Sequence, residues 1–435
     1  MRASMLRKAD TNLVRHDAGL RGLATLLDED AFLATLRVLC PEHDIRSVQA
    51  RYVRYKPHKS CLVAYSVQVG DTHTGVYARC HAEDQIVKVA NARLKMEVRG
   101  ALGAGLHTVP EDGIAIFAYP NDYEIRSLRK LYEGERTPPR MRRILPASPH
   151  LHGVLATTLR YKPERRFVGK LENGNGEAVV LRLYPEAQYE DIRQRAWAFK
   201  DQGDLRVPRV VGDSKRYSAL AHRWVDGQLL EDMLCGNDDP GPLLEHVAGA
   251  LATLHRQRPR LNAMYSASDY CRGVAAACDA VAAVDPDLGV RAAELRDTVQ
   301  GAVLELNWRS QVVHGDFSAD QVVVHSDGVT VLDFDRAAYG NPSMDIGSFA
   351  AGLLALATEG RVPFVRATAI ANELAAAYWR AMGFEDPVGV RVFTAGALLM
   401  RAPEPFRLRV KAWPARVAAL LDHADRVMQT ETLDV

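Results

Sequence analysis

The tetrapeptide Arg-Tyr-Lys-Pro occurs twice in this chain, at residues 54–57 and 160–163, an offset of 106 positions. Duplication constrains a fold more than any single motif, because each copy must build the same supersecondary unit. The flanking residues agree. A strand-like run follows each copy, Cys61–Val69 in the first and Phe167–Leu171 in the second. Each has a polar turn, Gly70–Gly75 and Glu172–Glu177, and then a second strand. Val76-Tyr77-Ala78-Arg79 matches Val179-Val180-Leu181-Arg182 at an offset of 103. A charged amphipathic segment comes next, then a Val-Pro step (Val109-Pro110 and Val207-Pro208, offset 98) and a last pair of short strands. The falling offset implies small deletions, which belong in loops.

The remainder reads as helical. Phe32, Leu33, Leu36 and Leu39 recur at helical spacing between Asp28 and Cys40, and Pro41 ends that helix. Residues 1–27 are polar and mixed and read as an arm. Leu243, Leu244, Val247, Leu251 and Leu254 form one apolar stripe that starts after Asp239-Pro240. Further helices are expected at Tyr270–Ala283, Val290–Trp308, Ile346–Leu356, Arg366–Met382, Val390–Met400 and Trp413–Met428. A length of 435 residues accommodates two or three domains. The net charge of +1 provides no global basic field for nucleic acid or an anionic membrane. No basic run is interleaved with aromatics, so no nucleic-acid partner is expected. The longest apolar stretch, around Ala350–Ala357, is too short to span a bilayer. The six cysteines show neither a CxxC pair nor metal-ligand spacing, and the first residues lack an apolar leader. Both features predict a reducing, cytoplasmic setting. Nothing in the sequence indicates a homo-oligomer.

The chemistry concentrates between Val312 and Gly347. Val322–Val324 and Val329–Leu332 read as strands joined by a turn at Ser326-Asp327-Gly328. Such a hairpin draws Asp316, before the first strand, toward Asp333, after the second, although 17 positions separate them. Two carboxylates and the Gln321 carboxamide offer the hard oxygen donors that Mg²⁺ prefers. A carboxylate left over from metal binding can receive a proton from an attacking hydroxyl. These are the parts of a phosphoryl-transfer site.

His314-Gly315-Asp316, Asp333-Phe334-Asp335 and Asp345-Ile346-Gly347 resemble the motif series of the aminoglycoside phosphotransferase and choline kinase superfamily, relatives of the protein kinases. Gln321 stands where that series usually has Asn, as it does in the maltokinase-like sugar kinases. The resemblance implies an α+β, protein-kinase-like fold with a small antiparallel-sheet lobe and a large helical lobe. Here an additional N-terminal α+β module resembles a duplicated small lobe. Residues 1–150 are then the N-terminal module, 151–226 the small lobe, and 227–435 the helical lobe with its catalytic hairpin at 312–347. The resemblance also implies Mg²⁺ as cofactor and ATP, or another nucleoside triphosphate, as phosphoryl donor. Asp316 becomes the base or hydroxyl-positioner, and Gln321 and Asp333 the metal ligands. Asp335 is a weaker ligand or substrate contact, and His314 and Asp345 hold the loop. Lys162–Arg166 is the loop over the nucleotide phosphates, with Arg165 and Arg166 supplying charge to a loop that lacks glycine. Arg182 takes the place of the strand-three Lys, and Glu190 is its helix partner. Trp224 and Val225 enter the hinge, where backbone groups meet the adenine edge.

Only twelve positions separate Asp333 from Asp345, too few for a segment that docks a polypeptide. The acceptor is therefore expected to be a small-molecule hydroxyl, on a sugar, aminosugar, aminoglycoside or amino alcohol. Glu231, Asp232, Asp238 and Asp239 are candidates for meeting a polycation, and Trp379 or Trp413 for stacking on a sugar. Gln321 tilts the expectation toward a sugar or aminosugar. The first copy has no second His-Gly-Asp and is not expected to be a second enzyme. The alternative is a pseudokinase-type nucleotide-binding or regulatory module, with Gln321 and Arg182 as marks of decay.

Overall fold

The computed structural model describes residues 6, 8–82, 97–132, 137–174, 177–236, 239–326 and 328–430. They form two compact units. One comprises Met1–Glu190, Val210–Trp224 and Phe406–Lys411, and the other Asp191–Arg209, Val225–Pro405 and Ala412–Val435.

The first unit holds two antiparallel sheets. Helices α1 (Lys8–His16), α2 (Leu23–Leu27) and α3 (Glu29–Leu39) precede strands β1 (Ile45–Lys56), β2 (Ser60–Val69), β3 (Thr72–His81), β4 (Leu106–Val109) and β5 (Ile114–Ala118). Helices α4 (Arg126–Lys130) and α5 (Thr137–Ile144) precede β6 (Thr157–Lys162), β7 (Arg166–Glu172) and β8 (Ala178–Leu183). Helix α6 (Glu186–Ala198), which belongs to the second unit from Asp191 on, and that unit's two-residue β9 (Leu205–Arg206) come next in the chain, before β10 (Val210–Ser214) and β11 (Ala219–Arg223) of the first. The strand orders are β1-β2-β3-β5-β4 and β6-β7-β8-β11-β10, the same topology built twice.

Register identifies the counterparts. Arg79 lies opposite Leu62 on one side and Ala115 on the other. Arg182 lies opposite Val168 and Leu220. The two Val-Pro steps are not counterparts, however. Val109-Pro110 closes β4, whereas Val207-Pro208 precedes β10. Strands β5 and β11 begin 105 positions apart, so the offset recovers instead of falling. Proline sits at strand ends because it cannot donate to a ladder, and its recurrence there carries no register. The charged segment expected in the first copy falls on 83–96, outside the described residues.

Each copy also begins earlier than its strands. The Asp17 carboxylate accepts bonds from Tyr55 Oη (2.7 Å) and the His58 amide (2.9 Å). Asp122 accepts from Tyr161 Oη (2.7 Å) and the Glu164 amide (2.9 Å). One buried aspartate thus pins each hairpin corner, and the pinned residue has positive φ in both, 57° at His58 and 60° at Glu164. Residues 8–27 are accordingly no arm. Leu13, Leu20, Leu23, Leu26 and Leu27 are buried, each contributing about 2 kcal/mol by leaving water. Asp10 is locked to Arg409 by two bonds of 2.6 and 3.1 Å. Average polarity hides such a leucine stripe.

In the second sheet Phe167, Leu171, Leu181 and Leu183 pack with Ile125, Leu128, Met141 and Ile144 from the preceding helices. Side chains alternate along a strand, so Arg182, between the buried Leu181 and Leu183, projects from the other face.

The second unit is mostly helical. Its elements are β12 (Gln228–Leu229), α7 (Leu230–Leu234), α8 (Gly241–Arg256), α9 (Ala267–Ala282), α10 (Pro286–Glu305), β13 (Gln311–Val313), β14 (Val322–His325), β15 (Gly328–Val331), β16 (Ala338–Gly340), α11 (Ser343–Thr358), α12 (Phe364–Met382), α13 (Pro387–Arg401), the short α14 (Glu404–Arg407) and α15 (Trp413–Gln429). Asp285 caps α10 by accepting the Leu288 amide at 3.1 Å. Pro286 therefore opens this helix, four residues before the Val290 start read from the sequence, because a first-turn proline has no amide to lose. Strand β14 pairs with β12 and β15, and β15 with β9, while β13 and β16 form a separate ribbon. The whole is α+β, an antiparallel-sheet unit and a helical unit. No helix among the described residues is long and apolar enough to cross a membrane.

Candidate active site

The hairpin expected from the sequence forms. Val322 lies opposite Val331, and Val324 opposite Val329. Asp327 of the expected turn is outside the described residues. The ladder continues one step past the strands, where the Leu332 amide donates to Gln321 O at 2.7 Å. Gln321 is thus the cross-strand neighbour of Leu332, and Asp333 is the next residue. Gln321 Nε2 donates to Asp320 Oδ2 at 3.0 Å, and Asp320 Oδ1 accepts from Ser318 Oγ. With its NH₂ group engaged, Gln321 keeps its oxygen for other use. Asp320 was missed in the sequence, where the only signal is an acid directly before the ligand-type residue.

Asp333 has φ 62° and ψ 61° and leads into the tight turn Phe334–Arg336. A left-handed, non-glycine residue costs about 1–2 kcal/mol. Such conformations persist where surrounding contacts over-determine them, often at functional sites. Those contacts are visible here. The Phe334 ring stacks on Phe199, with centroids 4.4 Å apart. Arg195 on α6 donates Nε to Ala337 O (3.0 Å) and Nη1 to Asp335 O (3.1 Å). Arg195 was also missed, since its partners lie about 140 positions away. On the facing loop Gly315 has φ 79°, and a Cβ there would stand 2.5 Å from Arg336 O. Only glycine allows that approach. Asp316 follows, half-exposed, with Oδ1 3.6 Å from Arg336 Nη1.

Asp345 fastens this loop from beneath. It is 1 % exposed. Its Oδ2 accepts the His314 amide (2.6 Å) and His255 Nε2 (2.9 Å), and its Oδ1 accepts the Gly315 amide (2.9 Å). His255 Nδ1 in turn meets the Tyr378 hydroxyl at 2.7 Å. Burial alone pushes the Asp345 carboxyl up, but the bonds and charge of His255, with the His314 amide, outweigh it and hold the group below its ordinary value. His314 Nε2 donates to Leu332 O at 2.7 Å, and the Asp316 amide points at His314 Nδ1 from 3.3 Å. The imidazole therefore carries its proton on Nε2 and ties the two loops together.

Arg165 is exposed in a turn closed by its own amide on Lys162 O at 3.0 Å, and Arg166 begins β7, half-buried. Arg182 is half-buried on β8, the middle strand of its sheet. Glu190 is exposed on α6. The Trp224 amide donates to Ala178 O at 2.9 Å, so this residue offers its carbonyl rather than its amide, and Lys170 Nζ lies 4.4 Å from its ring centroid. Val225 is half-buried. Of the acids weighed for a polycation, Glu231 and Asp232 both pair with Arg361, and Asp239 accepts the Gly241 amide at 3.0 Å. Asp238 lies outside the described residues. Trp413 is 1 % exposed and packs in the core, which removes it as a stacking platform.

Among the described residues no three His, Cys, Asp or Glu side chains converge as a metal cage. The Gln321 carboxamide and Asp333 carboxylate nonetheless fit Mg²⁺, which commonly takes one or two protein oxygens and completes its shell with water and phosphate.

The model of the phosphotransferase enzyme family (APH) matches residues 163–384. No curated protein matches the chain. Among solved structures, it is similar to a choline/ethanolamine kinase family protein from Mesorhizobium loti (16 % identity, 67 % of this chain and 94 % of that one, TM-score 0.45). It is also similar to the choline kinase LicA from Streptococcus pneumoniae (9 %, 63 % and 94 %, 0.47). A third is the aminoglycoside phosphotransferase APH(4)-Ia in complex with ADP and hygromycin B (15 %, 65 % and 96 %, 0.44). Because the family match spans more than half of the sequence and contains the whole His314–Asp345 constellation, the chain belongs to the phosphotransferase enzyme family.

Proposed function

We propose that the protein transfers the terminal phosphoryl group of ATP, or of another nucleoside triphosphate, to a hydroxyl of a small molecule, with a sugar or aminosugar favoured. The observation that carries this reading is the backbone bond from Leu332 to Gln321, 2.7 Å long, which pairs Gln321 with the residue directly before Asp333 at the end of the hairpin, with Asp316 half-exposed. Asp316 orients the acceptor hydroxyl and takes its proton as the oxygen–phosphorus bond forms and the bond to the nucleoside diphosphate breaks. Positioning is its larger duty, because the transition state is loose and proton transfer comes late. Gln321 and Asp333 would hold Mg²⁺, which supplies charge neutralisation on the phosphates. Asp320 aims Gln321 by engaging its NH₂. Arg182, Arg165 and Arg166 bear on the nucleotide phosphates, Glu190 orients Arg182, and Trp224 and Val225 offer backbone groups to the base. The segment 151–226 is then the nucleotide-holding lobe, with 1–150 as its support.

The engaged state of Glu231, Asp232 and Asp239 favours a neutral acceptor over a polycationic aminoglycoside. The test is ATP consumption, with and without Mg²⁺, across sugars, aminosugars, amino alcohols and aminoglycosides. Magnesium-dependent turnover with a sugar or aminosugar is expected. No turnover with any acceptor, together with metal-independent nucleotide binding, would show instead a regulatory nucleotide-binding module.

A further inference from the structure

The two copies in the first unit are alike in topology, yet one side chain of the second reaches the arginines of the first. Arg79 is the register counterpart of Arg182. Its guanidinium meets a carboxylate from the second copy. Nη1 of Arg79 lies 3.3 Å from both Oε1 and Oε2 of Glu164, and Arg54 Nη2 donates to the same Oε2. The Glu164 side chain is 4 % exposed. Its counterpart His58 shares the positive φ and the aspartate-pinned amide, but its ring is 78 % exposed. A buried carboxylate on a left-handed residue is costly on both counts, and the two arginines and the Asp122 bond offset it. Glu164 also stands inside the turn Lys162–Arg166, directly before Arg165 and Arg166.

We propose that Glu164 is a positioning residue for the nucleotide. Its carboxylate fills the arginine site of the first copy and fixes the turn that presents Arg165 and Arg166 to the phosphates. The first copy consequently takes no nucleotide of its own and serves as the socket for the second. The proposal rests on the phosphotransferase reading, in which that turn faces the phosphates.

The experiment is calorimetric titration of the full chain with Mg·ADP. The wild type should bind one equivalent. Glu164→Gln and Arg79→Met should each weaken binding about tenfold, and the double variant should be no weaker than either, as expected of partners in one network. Glu164→Asp keeps the charge and should recover affinity to within about threefold of wild type, a rescue that a merely space-filling role does not predict. Should Glu164→Gln fail to fold, Arg79→Met and Arg54→Met decide by the same tenfold criterion. Wild-type affinity in folded Glu164→Gln or Arg79→Met, additive losses in the double variant, or two equivalents bound by the wild type would overturn the proposal. A wild-type chain that binds no Mg·ADP at all would sink the phosphotransferase reading with it, whereas equal binding by wild type and Glu164→Gln sinks this inference alone.

Discussion

Replacing Asp345 by Asn tests whether the His314–Asp316 loop is held by a buried charge or only by shape. Asn is nearly isosteric but has one oxygen. Whichever way the amide turns, its NH₂ group faces a donor: either the Gly315 amide, or the His314 amide and His255 Nε2. The lesser loss is one charge-assisted bond, worth about 1.5–3 kcal/mol. The surviving bonds also lose their ionic component, and an unpartnered amide remains in a site that is 1 % exposed. The sum is about 3–5 kcal/mol, the range for breaking a buried pair from one side. At roughly 2–4 °C per kcal/mol for a domain of about 200 residues, the melting temperature should fall by about 6–20 °C. The carboxyl is held below its ordinary value in the folded state, so its ionisation stabilises the fold above the unfolded carboxylate pKa of about 3.9. That contribution disappears as pH drops through the folded value. Calorimetric melts of wild type and variant across pH 3–8 should therefore show a wide gap at neutral pH that narrows below about pH 4. A variant melting within about 2 °C of wild type at pH 7, or a gap that stays constant into acid, would refute the reasoning.

Asp316→Asn should lower turnover by about 10²–10⁴-fold while leaving Mg·ADP affinity within a few-fold, measured by phosphoryl transfer to whichever acceptor the panel identifies. Gln321→Leu removes the oxygen donor and should raise the Mg²⁺ concentration for half-maximal activity by about ten- to a hundredfold, and Asp320→Asn, which only disorients Gln321, by about tenfold. Gly315→Ala places a Cβ 2.5 Å from Arg336 O on a residue with φ 79°, and should cost about 2–4 kcal/mol in a urea titration.

What the sequence disclosed was local and periodic. The Val322–Val331 hairpin, the stripe on α8 and the strands after each Arg-Tyr-Lys-Pro all announce themselves within a dozen residues, because alternation or helical spacing is a short-range signal. The pairing of Gln321 with the residue before Asp333 was legible for the same reason, since a tight hairpin converts separation along the chain into proximity. Tertiary partners of single polar residues were not legible. Asp17 and Asp122 each reach a tyrosine about forty positions on, and Arg195 reaches carbonyls in the loop after Asp333. No local pattern marks such residues. The Val-Pro steps are the opposite case, a recurring dipeptide whose meaning is local (a strand end) and which carries no register.

The duplication also explains why a glutamate sits where a solvated residue would be expected. Both hairpin corners inherit the same aspartate-pinned, left-handed residue. Once the copies pack in one unit, the second corner meets the arginines of the first, and the inherited geometry there can be put to a new use. His58 turns its ring to Asp17, Nδ1 lying 3.2 Å from Oδ1, and remains exposed. A carboxylate at position 164 meets two cationic partners, which offset the nearby Asp122 carboxylate, whereas the same substitution at 58 would exchange the His58–Asp17 pair for two carboxylates. Divergence between the copies is therefore directional. The one followed by the His314–Gly347 loop contributes the inserted residue, and the one without it keeps the arginines that receive it.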